Sequence, residues 1–334
     1  MPDSAVLQFT NPFEHQASIL NSDVEVLVTN RGDYYADLTR IRLHHLFMQR
    51  GREMLSHVDS GAVTGVRRPV FFLDDADQPP FFHSGRQLEQ DQILFLSPSA
   101  EYHHRTAGPS QWCAMSLTPD DLAAAGRAIT GHDLVAPAVT RSIWVPLNVI
   151  ARLRALHRAA GHLAATAPDI LAHPEVARVM EQELVLAMVR CLSEGLAIGT
   201  DTQVHRRLTV MQRFKQILYE NENPPRYMAE LCAAMGVPER TLRLHCIEHL
   251  GMAPHRYLWL RRLHQARRAL SLATPAATTV TAIACDYGFW ELGRFASEYC
   301  QLFGELPSVT LRRAPDLPAK QAPTGVSTAF ADFA

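Results

Sequence analysis

The sequence predicts an α+β chain. A sheet-rich N-terminal part, a barrel or sandwich covered by helices, is followed by an all-α C-terminal domain with two helix-turn-helix units. Three observations predict this. Between residues 24 and 117, short apolar runs are broken by turn residues, the texture of strands. Between 146 and 195, apolar residues recur at helical spacing in two long stripes. Between 226 and 313, one apolar pattern occurs twice.

The repeat organises the chain. Met228, Leu231, Cys232 and Met235 fall at i, i+3, i+4 and i+7, one apolar face of a short helix. Val280, Ile283, Ala284 and Tyr287 repeat that spacing 52 positions later, and Gly236 and Gly288 follow at the same offset. Each glycine is placed to end a helix in the left-handed conformation that a Cβ disfavours. A second helix follows each. Leu242, Cys246 and Leu250 share one face, and Phe295, Tyr299 and Phe303 match them 53 positions later. Gly251 and Gly304 close these helices, and Pro254 and Pro307 come three residues on. Helix, short turn, helix is the motif whose second helix enters the DNA major groove.

The stretches MAELCAAMGVPERTLRLHCIEHLGMAPHRYLWLRRLHQARRAL and TVTAIACDYGFWELGRFASEYCQLFGELPSVTLRR resemble the DNA-binding domain of the AraC/XylS family of bacterial transcription regulators. The second resembles that family's C-terminal signature, with its A-x-x-x-G-F, R-F and F-G-x-x-P elements. The likeness covers roughly the last third of the chain. Upstream, FFHSGRQLEQDQILFLSPSAEYHHRT resembles the cupin-type barrel that precedes this domain in many members of the family. The resemblance implies a cupin-like barrel that senses a small-molecule effector or dimerises. It also implies an activator touching RNA polymerase rather than a repressor.

Composition agrees. The 334 residues suffice for two domains, and 47% hydrophobic with 20% charged residues is ordinary globular material. Net charge is −2, but its distribution is uneven. Residues 226–313 hold 11 basic against 7 acidic side chains, whereas the remainder holds 21 against 27. A mildly basic module on an acidic remainder suits nucleic acid at one end. The six cysteines form no C-x-x-C pair and read as reduced thiols. There is no basic region followed by an apolar run at the N-terminus, and no stretch of about 18 apolar residues. A cytoplasmic protein without signal peptide, membrane span, metal or cofactor is expected.

In chain order, residues 1–20 show little periodicity. Candidate strands are 24–28, 38–48, 70–73, 80–83, 92–96 and 111–117, with turns at Gly51, Gly65, Gly85 and the 74–77 cluster. Helical signals begin only at Pro119, with a helix from Thr118 to about 128. Helices are then expected at 146–166, striped by Leu147, Ile150, Leu153, Leu156 and Leu163, and at 174–195, striped by Val176, Val179, Met180, Leu184, Met188 and Leu192. By resemblance these helices pack on the barrel and one of them mediates a homodimer. Thus 1–195 forms a sensing or dimerisation domain, 196–203 a linker, 204–313 the DNA-binding domain, and 314–334 a disordered tail. The DNA-binding domain opens with a helix at 203–220, striped by Leu208, Met211, Phe214 and Leu218, and 223–225 breaks it.

The residues opposite each core stripe are placed to meet DNA. On the first recognition helix these are Arg240, Thr241 and Leu244, with Arg243 on the flank. On the second they are Trp290, Gly293, Arg294 and Ser297. Arginine can bond guanine O6 and N7 together, and Thr241 or Leu244 can touch a thymine methyl. By matching to the family's recognition helices, Arg240, Arg243, Arg294 and Ser297 are the base-reading candidates. Ser297 stands where many members carry a basic residue, so the second unit grips the backbone more than it specifies. Each arginine has an alternative as a phosphate contact or solvated charge. Of the pairs Arg261-Arg262 and Arg267-Arg268 on the connecting helix, 254–271, one arginine each is free to meet phosphate. The two units would enter successive major grooves of double-stranded DNA, about 34 Å apart.

For an effector, His83, Tyr102, His103, His104 and Trp112 are the candidates, near a predicted barrel strand. Two rivals remain. One is a constitutive DNA-binding protein whose barrel only dimerises. The other is a metal-dependent cupin enzyme, but the pairs His44-His45 and His103-His104 each present one inward ligand on a strand, and no H-x-H with a spaced carboxylate follows. There is also no phosphate-binding glycine loop and no nucleophile elbow.

Overall fold

The computed structural model describes residues 2–74, 77–198, 202–219 and 228–313, with the side chains of 202–209 excepted. By its contacts the chain divides into two units. The first comprises Met1–Glu25 and Tyr34–Arg206; the second comprises Val26–Asp33 and the residues from Arg207 on. The first unit is rich in sheet and the second is helical, as the sequence predicts.

In the first unit, strand β1 (Asp3–Phe9) and helix α1 (Pro12–Ser18) occupy the stretch expected to lack elements. The helix signal was present: Asn11 Oδ1 accepts from the Phe13 N–H (3.0 Å), and Pro12 takes the first helical position. β2 (Ser22–Val28) follows. The single strand expected at 38–48 is two, β3 (Ala36–Arg42) and β4 (Phe47–Glu53), joined by a turn in which Leu43 N–H donates to Leu46 C=O (2.9 Å). The four turn residues Leu43, His44, His45 and Leu46 are bounded by buried leucines, so no break shows in the apolar pattern. Gly51 is not a turn; it lies inside β4 opposite Trp112.

β5 (His57–Val63) and β10 (Glu101–Thr106) were missed because they bury polar side chains such as Asp59, Ser60, His103 and His104. The rest are β6 (Arg68–Leu73), β7 (Phe81–His83), β8 (Arg86–Gln87), β9 (Gln92–Phe95), β11 (Ser110–Leu117), β12 (Arg141–Trp144) and β13 (Leu196–Ala197). The first residues of the expected linker, Leu196 and Ala197, pair with Trp144 and Ile143. One sheet has eight strands in the order β1-β3-β4-β11-β6-β9-β12-β13; the other has five, β2-β5-β10-β7-β8. Both sheets are open, an arrangement compatible with the expected cupin-like barrel.

Alternation along the large sheet decides what each face does. Met48, Val70, Phe72, Ile93, Cys113 and Met115 point to one face, under the helices. Those helices are α2 (Pro119–Thr130), α3 (Leu147–Thr166), α4 (Pro168–Ala172) and α5 (Pro174–Glu194). α2 begins as predicted, with Thr118 Oγ1 capping Asp121 N–H (3.2 Å). α3 buries Ile150, Leu153, Ala160 and Ala164, and α5 buries Ala177, Leu184, Met188 and Cys191. Leu147 and Val179, expected on those stripes, are exposed. Each fully buried large apolar side chain contributes about 1.5–3 kcal/mol. Arg154 Nε–H donates to Leu73 C=O (2.7 Å), tying α3 to the end of β6.

In the second unit the helices are α6 (Thr202–Tyr219), α7 (Met228–Met235), α8 (Glu239–Leu250), α9 (Pro254–Leu272), α10 (Val280–Asp286), α11 (Leu292–Phe303) and α12 (Pro307–Arg312). Both helix-turn-helix units are as read: α7–α8 and α10–α11, joined by α9. Gly236, Gly251, Gly288 and Gly304 all hold φ between +66° and +77°. Pro254 and Pro307 take the first position of the helices that follow. Met211, Phe214 and Leu218 of α6 are buried; Leu208, residues 223–225 and the 314–334 tail lie outside the described residues. Among the described residues no helix is long and apolar enough to cross a membrane.

Candidate functional site

The second unit presents the two recognition helices, α8 and α11. Their inner faces are fixed by burial of Leu242, Cys246 and Leu250, and of Phe295, Tyr299 and Phe303. Tyr299 is further held by its hydroxyl, 2.7 Å from Thr310 Oγ1. What remains outward is set by the helical period. On α8, Arg240 and Arg243 are exposed, Leu244 is 62% exposed, and Thr241 is half-buried at the edge of the face. Ile247, one turn beyond Arg243 and 47% exposed, belongs to the same face and was missed. An exposed isoleucine at i+4 from an exposed arginine was its signal.

Before and on α11, Trp290 is 68% exposed, and Gly293, Arg294 and Ser297 are exposed. No atom lies within 4 Å of the place a Gly293 Cβ would take. Arg294 differs from the α8 arginines. Its Nε–H donates to Glu298 Oε1 (2.9 Å) one turn along the helix, and that bond raises its already high pKa. Glu298 also accepts from Trp259 Nε1–H (2.7 Å) on α9, and Arg256 lies 3.9 Å over the Trp259 ring. Arg294 is thus pre-aimed by a chain of contacts that starts on the connecting helix.

The connecting helix does not offer one arginine of each pair equally. Arg261 is buried; Nη1–H donates to Leu218 C=O (3.2 Å) and the guanidinium lies 4.1 Å over Tyr219. Arg267 sits 4.4 Å over Phe303 and 3.8 Å from Glu305. These two hold the domain together, while Arg268 is exposed. Also on α8, His245, Glu248 and His249 bring three potential metal-ligand atoms within 4.8 Å of one another. The i, i+3, i+4 spacing of one helix surface accounts for that grouping, and all three have other partners.

The first unit holds a cavity between its sheets, about 680 Å³ counting the space at its open mouth. Its lining includes Phe71, Tyr102, His104 and Trp112, with Gln49, Asp59 and Ser22 as polar groups. Of the five effector candidates, Tyr102, His104 and Trp112 reach it. His83 does not line it but bonds His104 from behind (Nδ1···Nε2, 3.1 Å). His103 points to the other face of β10, where its Nδ1 meets Ser60 Oγ (2.9 Å). Adjacent strand residues point opposite ways, so the His103-His104 pair could place only one ring inward.

Four lining rings stack in a row, each tilted 22–29° to the next. Tyr102 and His104 centroids are 4.5 Å apart, His104 and Phe71 4.9 Å, Phe71 and Trp112 5.9 Å. Two glycines seat the ends of the row. Trp112 pairs across the ladder with Gly51 and Tyr102 with Gly61. A Cβ on Gly51 would lie 2.3 Å from Trp112 Cε2, and one on Gly61 2.5 Å from Tyr102 Cζ. Each ring therefore lies flat on bare backbone.

Behind the rings is a buried polar network that the sequence reading missed. Glu53 accepts from Trp112 Nε1–H (2.8 Å) and from Ser110 Oγ–H (2.9 Å), and His15 Nε2 is 3.7 Å away. His15 Nδ1 meets the Tyr34 hydroxyl (2.7 Å). Asp59, buried and lining the cavity, is 3.6 Å from His57 Nε2. Burial pushes the Asp59 carboxyl up to about 7, opposed by His57 and reinforced by Glu53. Burial, with His83, His57 and His103 nearby, keeps His104 neutral well below the usual histidine range. Burial alone would lower His57, but Asp59 and Glu53 outweigh it and raise its pKa.

Comparison with known proteins bears on these features. The chain is similar in structure to the AraC-like transcriptional activator CuxR, with 12% identity, a TM-score of 0.40, and coverage of 84% of this chain and 99% of that one. A helix-turn-helix domain family model matches residues 231–313. The chain is 34% identical over 136 residues to the "Probable thc operon regulatory protein" of Rhodococcus erythropolis, covering 38% of this chain and 41% of that one. It is 37% identical over 100 residues to the "XylDLEGF operon transcriptional activator 2" of Pseudomonas putida, covering 30% of this chain and 64% of that one. The chain thus spans less than two-thirds of the length of these relatives. The tandem helix-turn-helix domain carries the match: the family model and both relatives are similar to this chain over its C-terminal part.

Proposed function

We propose that this chain is an effector-responsive transcription regulator that acts as an activator. One observation carries the reading: two helix-turn-helix units, capped by equivalent left-handed glycines, each present an outward face bearing arginine. Arg243 and Arg240 on α8 read base edges together with Leu244, Ile247 and Thr241. Arg294, held by Glu298, and Ser297 and Trp290 grip the second groove. One monomer would then read two short boxes about one helical turn apart, without palindromic symmetry. The names of the curated relatives, an operon regulatory protein and operon transcriptional activators, support regulation rather than catalysis. Contact with RNA polymerase follows from the same likeness. The exposed Ile170 and Val179 on α4 and α5 favour self-association through those helices. The aromatic cavity, built with a buried acid, supports a sensing role for the first unit. A ligand there shifts DNA binding only so far as it binds two states of the protein unequally.

The test is sequencing of genome fragments retained by the purified protein, with the Arg243→Ala, Arg294→Ala double variant alongside. Enrichment of a few asymmetric two-box sites, lost in the variant, is expected. A lost bidentate arginine lowers affinity for the correct site by roughly 5- to 150-fold. Equal enrichment by the variant would refute the assignment of both helices.

A further inference from the structure

The cavity's chemistry selects a kind of effector. Its residues, as described, include no lysine and no arginine, and the one acid among them is Asp59. Asp59 is 8% exposed, and its Oδ1 has no hydrogen-bond partner in the structure. A buried carboxylate oxygen without a donor is costly, so it marks a place where a donor belongs. Glu53, a second carboxylate, lies behind Trp112. The surrounding walls are the row of four aromatic rings, whose faces attract cations and planar groups. Carboxylate ligands would enter against two acids with no cation lining the site to receive them.

Resting on the sensor reading above, we propose that the cavity binds a small arylalkylamine, its ring packed among Tyr102, His104, Phe71 and Trp112 and its N–H donated to the Asp59 carboxylate. The groups facing Asp59 favour this polarity. His57 contacts its other oxygen, Glu53 adds negative charge, and the hydroxyls of Tyr34 and Tyr102 feel its field. Tyr102 is held in place by its hydroxyl bond to Ser22 Oγ. Because the Asp59 carboxyl sits near neutrality, amine affinity should rise as pH climbs through about 7 and the anion forms.

The test uses the full chain and four probes: tryptamine and benzylamine against indole-3-acetate and benzoate, read by calorimetry and thermal shift at pH 8. The amines should bind and raise the melting temperature, and the acids should not. Asp59→Asn, which keeps the side-chain shape, should weaken amine binding by about tenfold or more. The wild-type comparison of amine with acid stands even if that variant folds poorly. The proposal is overturned if the acids bind as well as the amines, if no amine binds at millimolar concentration, or if a folded Asp59→Asn keeps its amine affinity. DNA enrichment measured on the same preparation without probe separates the two readings. If enrichment stands while the probe order reverses, only the effector chemistry falls; if enrichment is absent, the regulator reading falls whatever the probes do.

Discussion

Gly51→Ala tests the construction of the cavity directly. The new Cβ would lie 2.3 Å from Trp112 Cε2 and 2.5 Å from Cζ2 and Nε1, whereas carbon atoms rest about 3.5–4.0 Å apart. The indole must therefore move by more than an ångström. It cannot do so freely, because Phe71 stacks beside it and Nε1–H is bonded to Glu53. Overpacking of this kind costs about 1–3 kcal/mol. Breaking the bond to a buried carboxylate adds roughly 1.5–3 kcal/mol. The sum, about 2.5–6 kcal/mol, is a large part of ordinary domain stability. For a unit of this size each kcal/mol lowers the melting temperature by about 2–4 °C. Thermal unfolding followed by near-ultraviolet circular dichroism should show a drop of at least about 5 °C together with an altered tryptophan signal. A variant that melts with the wild type and keeps its aromatic signal would show that the ring does not rest on Gly51, and the account of the cavity wall would fail.

Other outcomes follow from the same geometry. His157 is fully buried, and burial with Arg50 nearby pushes its pKa down to about 3, below the free value of 6.5. A lowered folded-state pKa means stability that is complete above pH 6.5 and lost as pH falls towards 3, with a slope of up to about 1.4 kcal/mol per pH unit. Urea titrations at pH 7.5 and pH 5 should show the loss, and His157→Phe should flatten it; an unchanged slope would remove His157 from the explanation. Arg261→Ala should destabilise the helical unit by about 1–3 kcal/mol, since it strips a buried carbonyl of its donor and Tyr219 of its cation. Arg268→Ala should leave the melting temperature unchanged, because its side chain is exposed. If Arg261→Ala melted like the wild type but lost DNA affinity, Arg261 would be a phosphate contact after all.

The helical unit was legible because its determinants are local. Leu242, Cys246 and Leu250 lie within two turns of one another, and a helix bonds each residue to one four positions away. The same holds for the glycines, whose positive φ values are properties of single residues. The outward faces of α8 and α11 follow by rotation, so the exposure of Arg243, Leu244, Arg294 and Ser297 was legible. Rotation did not reveal that Arg294 is held by Glu298, or that Glu298 is held by Trp259 from another helix. Arg261 and Arg268 look alike in sequence, and only packing against Tyr219 and Leu218 makes the first of them internal.

The sheet unit was legible as a texture and not as a site. β5 and β10 carry inward Asp59 and His104, which read as loop residues in any window of one strand. They become a cavity only when β10 pairs with β5 and β11 with β4, bringing Tyr102 onto Gly61 and Trp112 onto Gly51 across 41 and 61 residues of chain. By itself, then, the sequence determined the tandem helix-turn-helix, its caps and its outward-facing side chains, because helices are specified within a few residues. Which histidine faces the cavity, and which acid waits there without a donor, was decided by strand register. Register is a non-local choice made by both partners of a ladder, and the face of every side chain follows from it.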